Sequence, residues 1–205
     1  MARQDQRGFT LLELVLALSI VAAMLAIVFG GLRVGVRAWQ RGEERTESQQ
    51  HSRSLNALLA QSLGGTTPYL SAAAAGVQPE VLFQGQSDKL SFVTVSAPFP
   101  LPAPIAFTAV TLSVDEGDKP GLAIREKALP NEDPFQDVAP IVVDPTFTAV
   151  RFRYLRDAEG SWEDTWDGAQ ERAVPRAVEV TLTTMVRGQP VEQPPVSVAI
   201  RANAP

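Results

Sequence analysis

The sequence contains no cysteine and a single histidine, His51, among its 205 residues. Without cysteine, the chain can form neither a disulfide nor a thiolate metal site. His51 lies in a polar stretch with no nucleophile fixed beside it, which favours a solvated or interface residue over a catalytic one. The formal net charge of −5 argues against the basic surface that nucleic-acid phosphates require. These absences predict a protein with no catalytic residues, no cofactor and no nucleic-acid partner.

Charge is also absent from residues 14–31, an apolar run near the N-terminus. Eighteen helical residues extend about 27 Å, close to the thickness of the hydrocarbon layer of a bilayer. We therefore predict a transmembrane helix over residues 9–32, with Glu13 just inside its N-terminal end. An ionisable residue at that depth indicates a function, although a plain anchor whose Glu13 reaches the headgroups is a real alternative. A secretory signal peptide fits less well, because the apolar run is too long and no A-x-A cleavage site follows it.

The residues Gly8-Phe9-Thr10-Leu11-Leu12-Glu13 carry a family resemblance. They resemble the processing and assembly signal of type IV pilins and of the pseudopilins of type II secretion systems. The resemblance implies that residues 1–8 are a cytoplasmic leader, that prepilin peptidase cleaves after Gly8, and that Phe9 is then N-methylated. It also implies that Glu13 pairs with the terminal ammonium of a neighbouring subunit, because such a pair is strong in a low dielectric.

Four arginines, at positions 33, 37, 41 and 45, follow the apolar run. The positive-inside rule alone would place them in the cytoplasm. The leader resemblance implies the reverse, a single-pass protein of the bacterial inner membrane with a cytoplasmic N-terminus and a periplasmic C-terminal domain. We expect Arg33 and Arg37 to meet lipid headgroups. Arg41 and Arg45 face either carboxylates of an adjacent subunit's helix or solvent.

The predicted helix continues through residues 33–63, which contain no proline, and ends at Gly64 and Gly65. Its last turns carry an apolar stripe on which a sheet can dock, formed by Leu55, Leu58, Leu59 and Leu63. Alternating apolar residues then predict strands at 81–83, 90–95, 110–114, 122–124, 150–154, 178–182 and 196–200, with an irregular stretch at 130–145. The prediction is an α+β fold, with an antiparallel sheet domain over residues 64–205 packed on the second half of the helix.

The C-terminal half carries a second resemblance, in residues 150–155, 160–162 and 173–182. These segments are similar to the J-type minor pseudopilins of type II secretion, although Val174-Pro175 stands where that family more often has Leu-Pro. The resemblance implies a pilin-like structural subunit of a pseudopilus tip complex. Its partners would be I- and K-type minor pseudopilins, and its role would be to prime pseudopilus growth for export of folded periplasmic proteins. Secreted substrates are a further possible partner. A minor pilin of a type IV pilus or competence system is the alternative, and a membrane-anchored periplasmic enzyme is a remote one.

The segment 157–167 is rich in carboxylates. Calcium binds through several oxygen ligands, which carboxylates can supply. No ordered ligand loop accompanies them, so a solvated acidic turn is the favoured interpretation and no metal site is predicted. Trp162 and Trp166 lie in the same segment, where they anchor either an interface or the core.

Overall fold

A computed structural model describes residues 11–71, 79–99, 105–157, 159–186 and 188–201 of the chain. Within the first helix, it leaves the side chains at 34, 37, 38 and 40–49 undescribed. The chain separates into two compact units, Met1–Arg53 and Ser54–Pro205. The two units are taken in turn.

Helix α1 (Leu11–Gly64) is 54 residues long. The described part of the first unit is the N-terminal portion of this helix. The segment Leu11–Arg33 is long and apolar enough to cross a membrane, and none of its most apolar window is buried. Leucine, isoleucine and valine side chains project from it on all sides. A helix that is apolar all round and contacts no protein core is typical of a membrane span. The described part of the chain thus confirms a long helix where one was predicted.

The C-terminal end of α1 belongs to the second unit and is fixed by contacts with strand β2 (Lys89–Thr94). The N–H of Gly65 donates to the carbonyl oxygen of Gln61, and the Thr94 hydroxyl donates to that of Ser62 at 2.8 Å. These bonds satisfy carbonyl groups that the end of a helix leaves open. A Cβ on Gly65 would come within 2.8 Å of the Thr94 hydroxyl oxygen, so a residue without a side chain is required there.

The remaining elements of the second unit are short. They are the strands β1 (Phe83–Gly85), β3 (Thr108–Asp115), β4 (Gly121–Ala128), β5 (Val142–Asp144), β6 (Phe147–Leu155), β7 (Trp162–Glu163), β8 (Trp166–Asp167), β9 (Ala177–Val186), β10 (Gln189–Glu192) and β11 (Val196–Ala199), and the helix α2 (Gly168–Glu171). The strands form two antiparallel sheets. The first has the order β5-β4-β3-β2-β1-β8, and the second has the order β10-β9-β6-β7 with β11 also paired to β9.

The core lies between the sheets and the last turns of α1. Its largest fully buried side chains are Phe83, Phe92, Phe147, Phe152 and Tyr154, with Leu63 contributed by the helix. Leu59 is also buried, and Leu55 and Leu58 pack against the same cluster while partly exposed. The stripe of four leucines predicted as a docking face therefore does dock. The arrangement is the predicted α+β, pilin-like fold.

Four details of the predicted sheet domain were wrong. We expected one sheet, and the described residues form two. The strand expected at 81–83 begins only at Phe83, because Val81 makes an isolated bridge to Leu70 instead. The stretch 130–145, expected to be irregular, contains β5, and β10 was not predicted at all. Both are edge strands, where a short length and a proline such as Pro190 are tolerated, so the sequence pattern for a strand is weak there.

Candidate functional site

Glu13 is the residue on which the predicted assembly function depends. It lies in the first turn of the described part of α1, inside the apolar segment Leu11–Arg33, and its side chain is exposed. In the part of that segment before Arg33, it is the one ionisable residue. A carboxylate held at the end of an apolar helix is placed to bind a cationic group supplied from outside the chain. Glu13 therefore lies in the first turn of the apolar helix, and its role in assembly stays a prediction.

The predicted processing residues, Gly8 and Phe9, lie outside the described residues. The predicted interface residues, Arg41 and Arg45, lie within α1, but their side chains are outside the described part of the chain. Arg33, at the end of the apolar segment, has an exposed side chain. His51 is also an exposed residue of α1. Arg33 and His51 line neither of the two pockets described below.

The acidic segment 157–167 is organised by arginine. Arg156 donates two hydrogen bonds to Glu163 and two to Glu171, those to Glu171 at 2.8 and 2.9 Å. Its guanidinium lies 5.0 Å from the centre of the Trp166 ring. Hydrogen bonds from Arg156 lower the pKa of both glutamates, because they stabilise the ionised form.

The aspartates of the same segment have other partners. The Asp157 carboxylate accepts backbone N–H groups from residues 159, 160 and 161. Asp167 caps α2 by accepting from Ala169 and Gln170, and Asp164 lies 3.6 Å from Arg153. Among the described residues, no group of three or more acidic, histidine or cysteine side chains is placed to hold a metal ion. The sequence did not reveal that Arg156 would bond Glu163 and Glu171.

The two tryptophans of this segment differ in their surroundings. Trp166 is 6% exposed, and its indole N–H donates to the carbonyl oxygen of Ala173 at 2.9 Å. Trp162 is partly buried, and the Arg153 guanidinium lies 5.9 Å from its ring. Trp166 is therefore a core residue, as one of the two interpretations predicted.

A polar pocket of about 520 Å³ lies beside β3 and β4, under the segment 135–139. Its central cation, Arg125, already donates to the carbonyl oxygen of Val138, to the Ser113 hydroxyl and to Asp115. The lining contains neither histidine nor cysteine. Since Arg125 has its hydrogen-bond partners within the chain, this arrangement fixes the segment 135–139 on the sheet.

A second groove, of about 610 Å³, lies on α1 and is apolar. It is lined by Val28, Gly31, Leu32, Gly35, Val36 and Trp39, and we call it the glycine groove. The sequence analysis missed it. The available signal was the spacing of its members, which recur at three and four residues and so share one face of a helix.

The fold and the N-terminal helix together define the class. In the described residues, one apolar helix with a carboxylate near its start is followed by antiparallel sheets, which is the organisation of a membrane-anchored, pilin-like subunit. The match of residues 3–29 to the model of the prokaryotic N-terminal methylation motif agrees with this class.

Residues 30–193, about four fifths of the chain, match the family model described as type II secretion system (T2SS), protein J. The chain belongs to this family, and it is a minor pseudopilin of the type II secretion system. No curated protein matches the chain.

The family membership confirms the predicted J-type pseudopilin and favours the secretion system over the alternative of a surface pilus or competence system. The family is a structural one and is generally non-enzymatic. The methylation motif implies processing by prepilin peptidase, and a pseudopilin implies other pseudopilins as partners.

Proposed function

We propose that this chain is cleaved after Gly8, methylated on Phe9, and assembled with I- and K-type minor pseudopilins into the tip complex that primes pseudopilus growth. The span, residues 9–32, would lie in the inner membrane with its N-terminus in the cytoplasm. The helix over 33–63 and the sheet domain over 64–205 would lie in the periplasm. The observation that carries this proposal is the coincidence, in one chain, of the protein J match and the N-terminal methylation motif.

In this proposal, Glu13 sets the axial position of each neighbour. The new N-terminus at Phe9 carries a positive charge, and a neighbouring subunit would present the same kind of charge to Glu13. Both charges are costly when alone in the hydrocarbon layer, so pairing them stabilises the assembled state far more than a surface ion pair would. A subunit that enters at the wrong height would leave its charge unpaired.

The test is to replace Glu13 by alanine and to measure how much of each other pseudopilin co-isolates from cross-linked membranes. Ser19→Ala is the matched control, because it also removes a polar group from the span. The Ser19 hydroxyl bonds within the helix, to the carbonyl oxygen of Val15 at 2.8 Å. We expect Glu13→Ala to lower co-isolation about tenfold or more, which corresponds to about 1.4 kcal/mol, and Ser19→Ala to leave it within about twofold. Equal co-isolation of both variants and the wild type would contradict the proposed role.

Arg41 and Arg45 stay a separate prediction, with two possible environments. They either face carboxylates of an adjacent subunit's helix or lie on a solvated face. Charge reversal at both positions distinguishes these, because it would disrupt co-assembly only in the first case. Unchanged co-assembly of the Arg41→Glu, Arg45→Glu variant would exclude the interface.

A further inference from the structure

The polar pocket beside β3 and β4 presents charged groups that the chain itself does not use. Its volume of about 520 Å³ lies in the range of about 300 to 1,000 Å³ that small-molecule sites occupy. Arg125 and Asp115, in its lining, pair with each other. Lys89 and Asp137 also line it, and neither side chain has a hydrogen-bond or ion-pair partner among the described residues. One ammonium and one carboxylate are therefore left for a ligand.

The walls of the pocket are held in place by contacts within the chain. Lys89 lies opposite Ser113 in the register of β2 and β3, so the two side chains share one face of the sheet. In the segment that covers the pocket, the carbonyl oxygen of Val138 accepts a hydrogen bond from Arg125 at 3.0 Å, next to Asp137. The free ammonium thus belongs to the sheet, and the free carboxylate belongs to the covering segment. A site that is formed in advance loses little conformational entropy when a ligand binds.

The balance of charge in the lining indicates a ligand with no net charge. A metal cation would be repelled by Lys89 and Arg125, and a simple anion would be repelled by Asp115 and Asp137. Six of the nine lining residues are polar or charged, whereas most small-molecule sites are mainly apolar, so the ligand must also be hydrophilic. Hydroxyl groups meet both conditions, because each one both donates and accepts a hydrogen bond. Two hydroxyls of one molecule can accept from the ammonium and donate to the carboxylate.

Phe135 adds an apolar surface to this polar lining. Its ring is partly buried and packs against the small hydrophobic cluster of Val93, Ala109 and Leu129. The same residue lines the pocket. A sugar ring carries hydroxyls around its edge and C–H groups on its two faces, so it needs polar groups at its edge and an apolar surface against one face. The pocket combines these two kinds of contact.

We propose that the polar pocket binds a sugar residue of an uncharged carbohydrate. Lys89 donates to one sugar hydroxyl, Asp137 accepts from another, and Phe135 contacts the C–H face of the ring. Arg125 acts as a positioning residue, because it holds the covering segment through Val138. Assembly with other subunits does not require such a site, so carbohydrate binding is additional to the proposed function.

The test measures the binding of two neutral oligosaccharides, tetra-N-acetylchitotetraose and maltotetraose, to the full-length protein. Saturation-transfer NMR titrations give the two values of Kd, in a detergent that has no sugar headgroup. Lys89→Met and Asp137→Asn each remove one charge and keep the approximate size of the side chain. Asparagine also tolerates the left-handed backbone of Asp137, whose φ is 51°.

The matched controls are Lys119→Met and Asp118→Asn. Both residues are exposed in the turn between β3 and β4, and neither lines the polar pocket. We expect at least one of the two oligosaccharides to bind. Its Kd should rise about tenfold or more in each pocket variant and stay within about twofold in each control. Melting temperatures show whether the variants are folded, and Ser113→Ala is a further pocket variant if one of them is not.

Three results would overturn the proposal. Absence of binding by both oligosaccharides would exclude a carbohydrate site, and equal weakening in pocket and control variants would exclude this pocket as the site. Binding of glycine betaine, a zwitterion, in place of both oligosaccharides would show that the ligand class is wrong. The titrations use the purified chain alone, so their failure leaves the proposed function intact, and a failure of co-isolation from membranes leaves the pocket intact.

Discussion

Gly85 shows how one absent side chain positions the two sheets. It ends β1, and a Cβ there would lie 2.3 Å from the ring of Tyr154 on β6, which is fully buried. The Tyr154 hydroxyl donates to the carbonyl oxygen of Gln86, the residue after Gly85, at 2.8 Å. The ring therefore lies directly against the backbone of the other sheet. Burial also raises the pKa of the Tyr154 hydroxyl, which keeps it a donor.

We expect Gly85→Ala to destabilise the sheet domain by about 1 to 3 kcal/mol, because the methyl group cannot be accommodated unless the ring or the strand moves. Gly117→Ala is the matched control, since a Cβ at Gly117 meets nothing within 4 Å. It should change the free energy of unfolding by no more than about 0.5 kcal/mol. Urea unfolding of the full-length protein in detergent measures both values. Equal destabilisation by the two changes would refute the contact.

Glu126 is a buried carboxyl whose pKa is set by its surroundings. It is 7% exposed and follows Leu122 and Ile124 on the core face of β4. One of its carboxylate oxygens accepts the backbone N–H of Phe99 at 2.9 Å, while the other is buried with no hydrogen-bond partner. Burial raises the pKa of this carboxyl, and the bond from Phe99 opposes the rise in part.

A raised pKa in the folded protein means that Glu126 favours folding most when protonated. That contribution is complete below the ordinary range of glutamate and is lost as the pH rises through the raised pKa. Glu126→Gln removes this dependence. We therefore expect the melting temperature of the variant, relative to the wild type, to rise as the pH is raised from 4 to about 8. A difference that stays constant or falls over that range would show that the carboxyl is not destabilised by burial.

The position of Glu126 was readable in principle from the sequence. Leu122, Ile124 and Glu126 alternate, so they share one face of a strand. The sequence analysis ended the strand at Ile124, whereas β4 continues to Ala128. A buried carboxyl is uncommon. Alternation alone does not show that other parts of the domain cover the Glu126 side chain.

At the scale of elements, the long helix was predictable because its signals are local. The uncharged run, the lack of proline and the glycines at its end are all adjacent in sequence, and α1 ends at Gly64 as they indicate. The two sheets were not predictable in the same way. The pairing of β1 with β8 joins Gln84 to Asp167, and no local pattern specifies which distant strands meet.

The segment between β6 and α2 contains β7 and β8, which pair with β6 and β1, and Arg156 adds a side-chain link to it. Arg156 bonds both Glu163 and Glu171, at positions eight residues apart. It thereby closes the segment between them. The sequence showed the carboxylates, but it did not show that an arginine at the end of the preceding strand would meet them.

We expect Arg156→Gln to loosen this segment and to lower the melting temperature at neutral pH, because two neighbouring carboxylates lose their common cation. The lowered pKa values of Glu163 and Glu171 contribute stability that is present at neutral pH and is lost as the pH falls through them. The difference between variant and wild type should therefore shrink in acid. Hydrogen exchange of residues 159–171 measures the loosening directly.

Arg151→Gln is the control for that experiment. Arg151 bonds Glu192 at 3.0 Å, but both side chains are more than half exposed. Such a surface pair contributes at most about 1 kcal/mol. Unchanged exchange in the Arg156 variant, or an equal effect of the two changes, would mean that Arg156 does not hold the segment.

At the scale of the whole molecule, the chain combines two family signals, one within the first unit and one that spans both units. The methylation motif covers residues 3–29, and the protein J match covers residues 30–193. The first indicates how the protein is anchored and processed, and the second indicates in which machine it acts. Membership of the family could be inferred from sequence because both signals are runs of specific residues.

Two signals in the sequence predict opposite orientations in the membrane. The arginines after the span favour a cytoplasmic C-terminal side, and the leader favours a periplasmic one. The proposed function gives the leader precedence, because cleavage after Gly8 by prepilin peptidase would require a defined orientation. The two interpretations predict different covalent forms of the mature protein.

The most direct test of the central claim is the intact mass of the protein purified from native membranes, with sequencing of its first residues. The account predicts a chain that lacks residues 1–8, begins at Phe9 and carries one added methyl group on that residue's nitrogen. A chain that still begins at its original N-terminus, without methylation, would contradict the account.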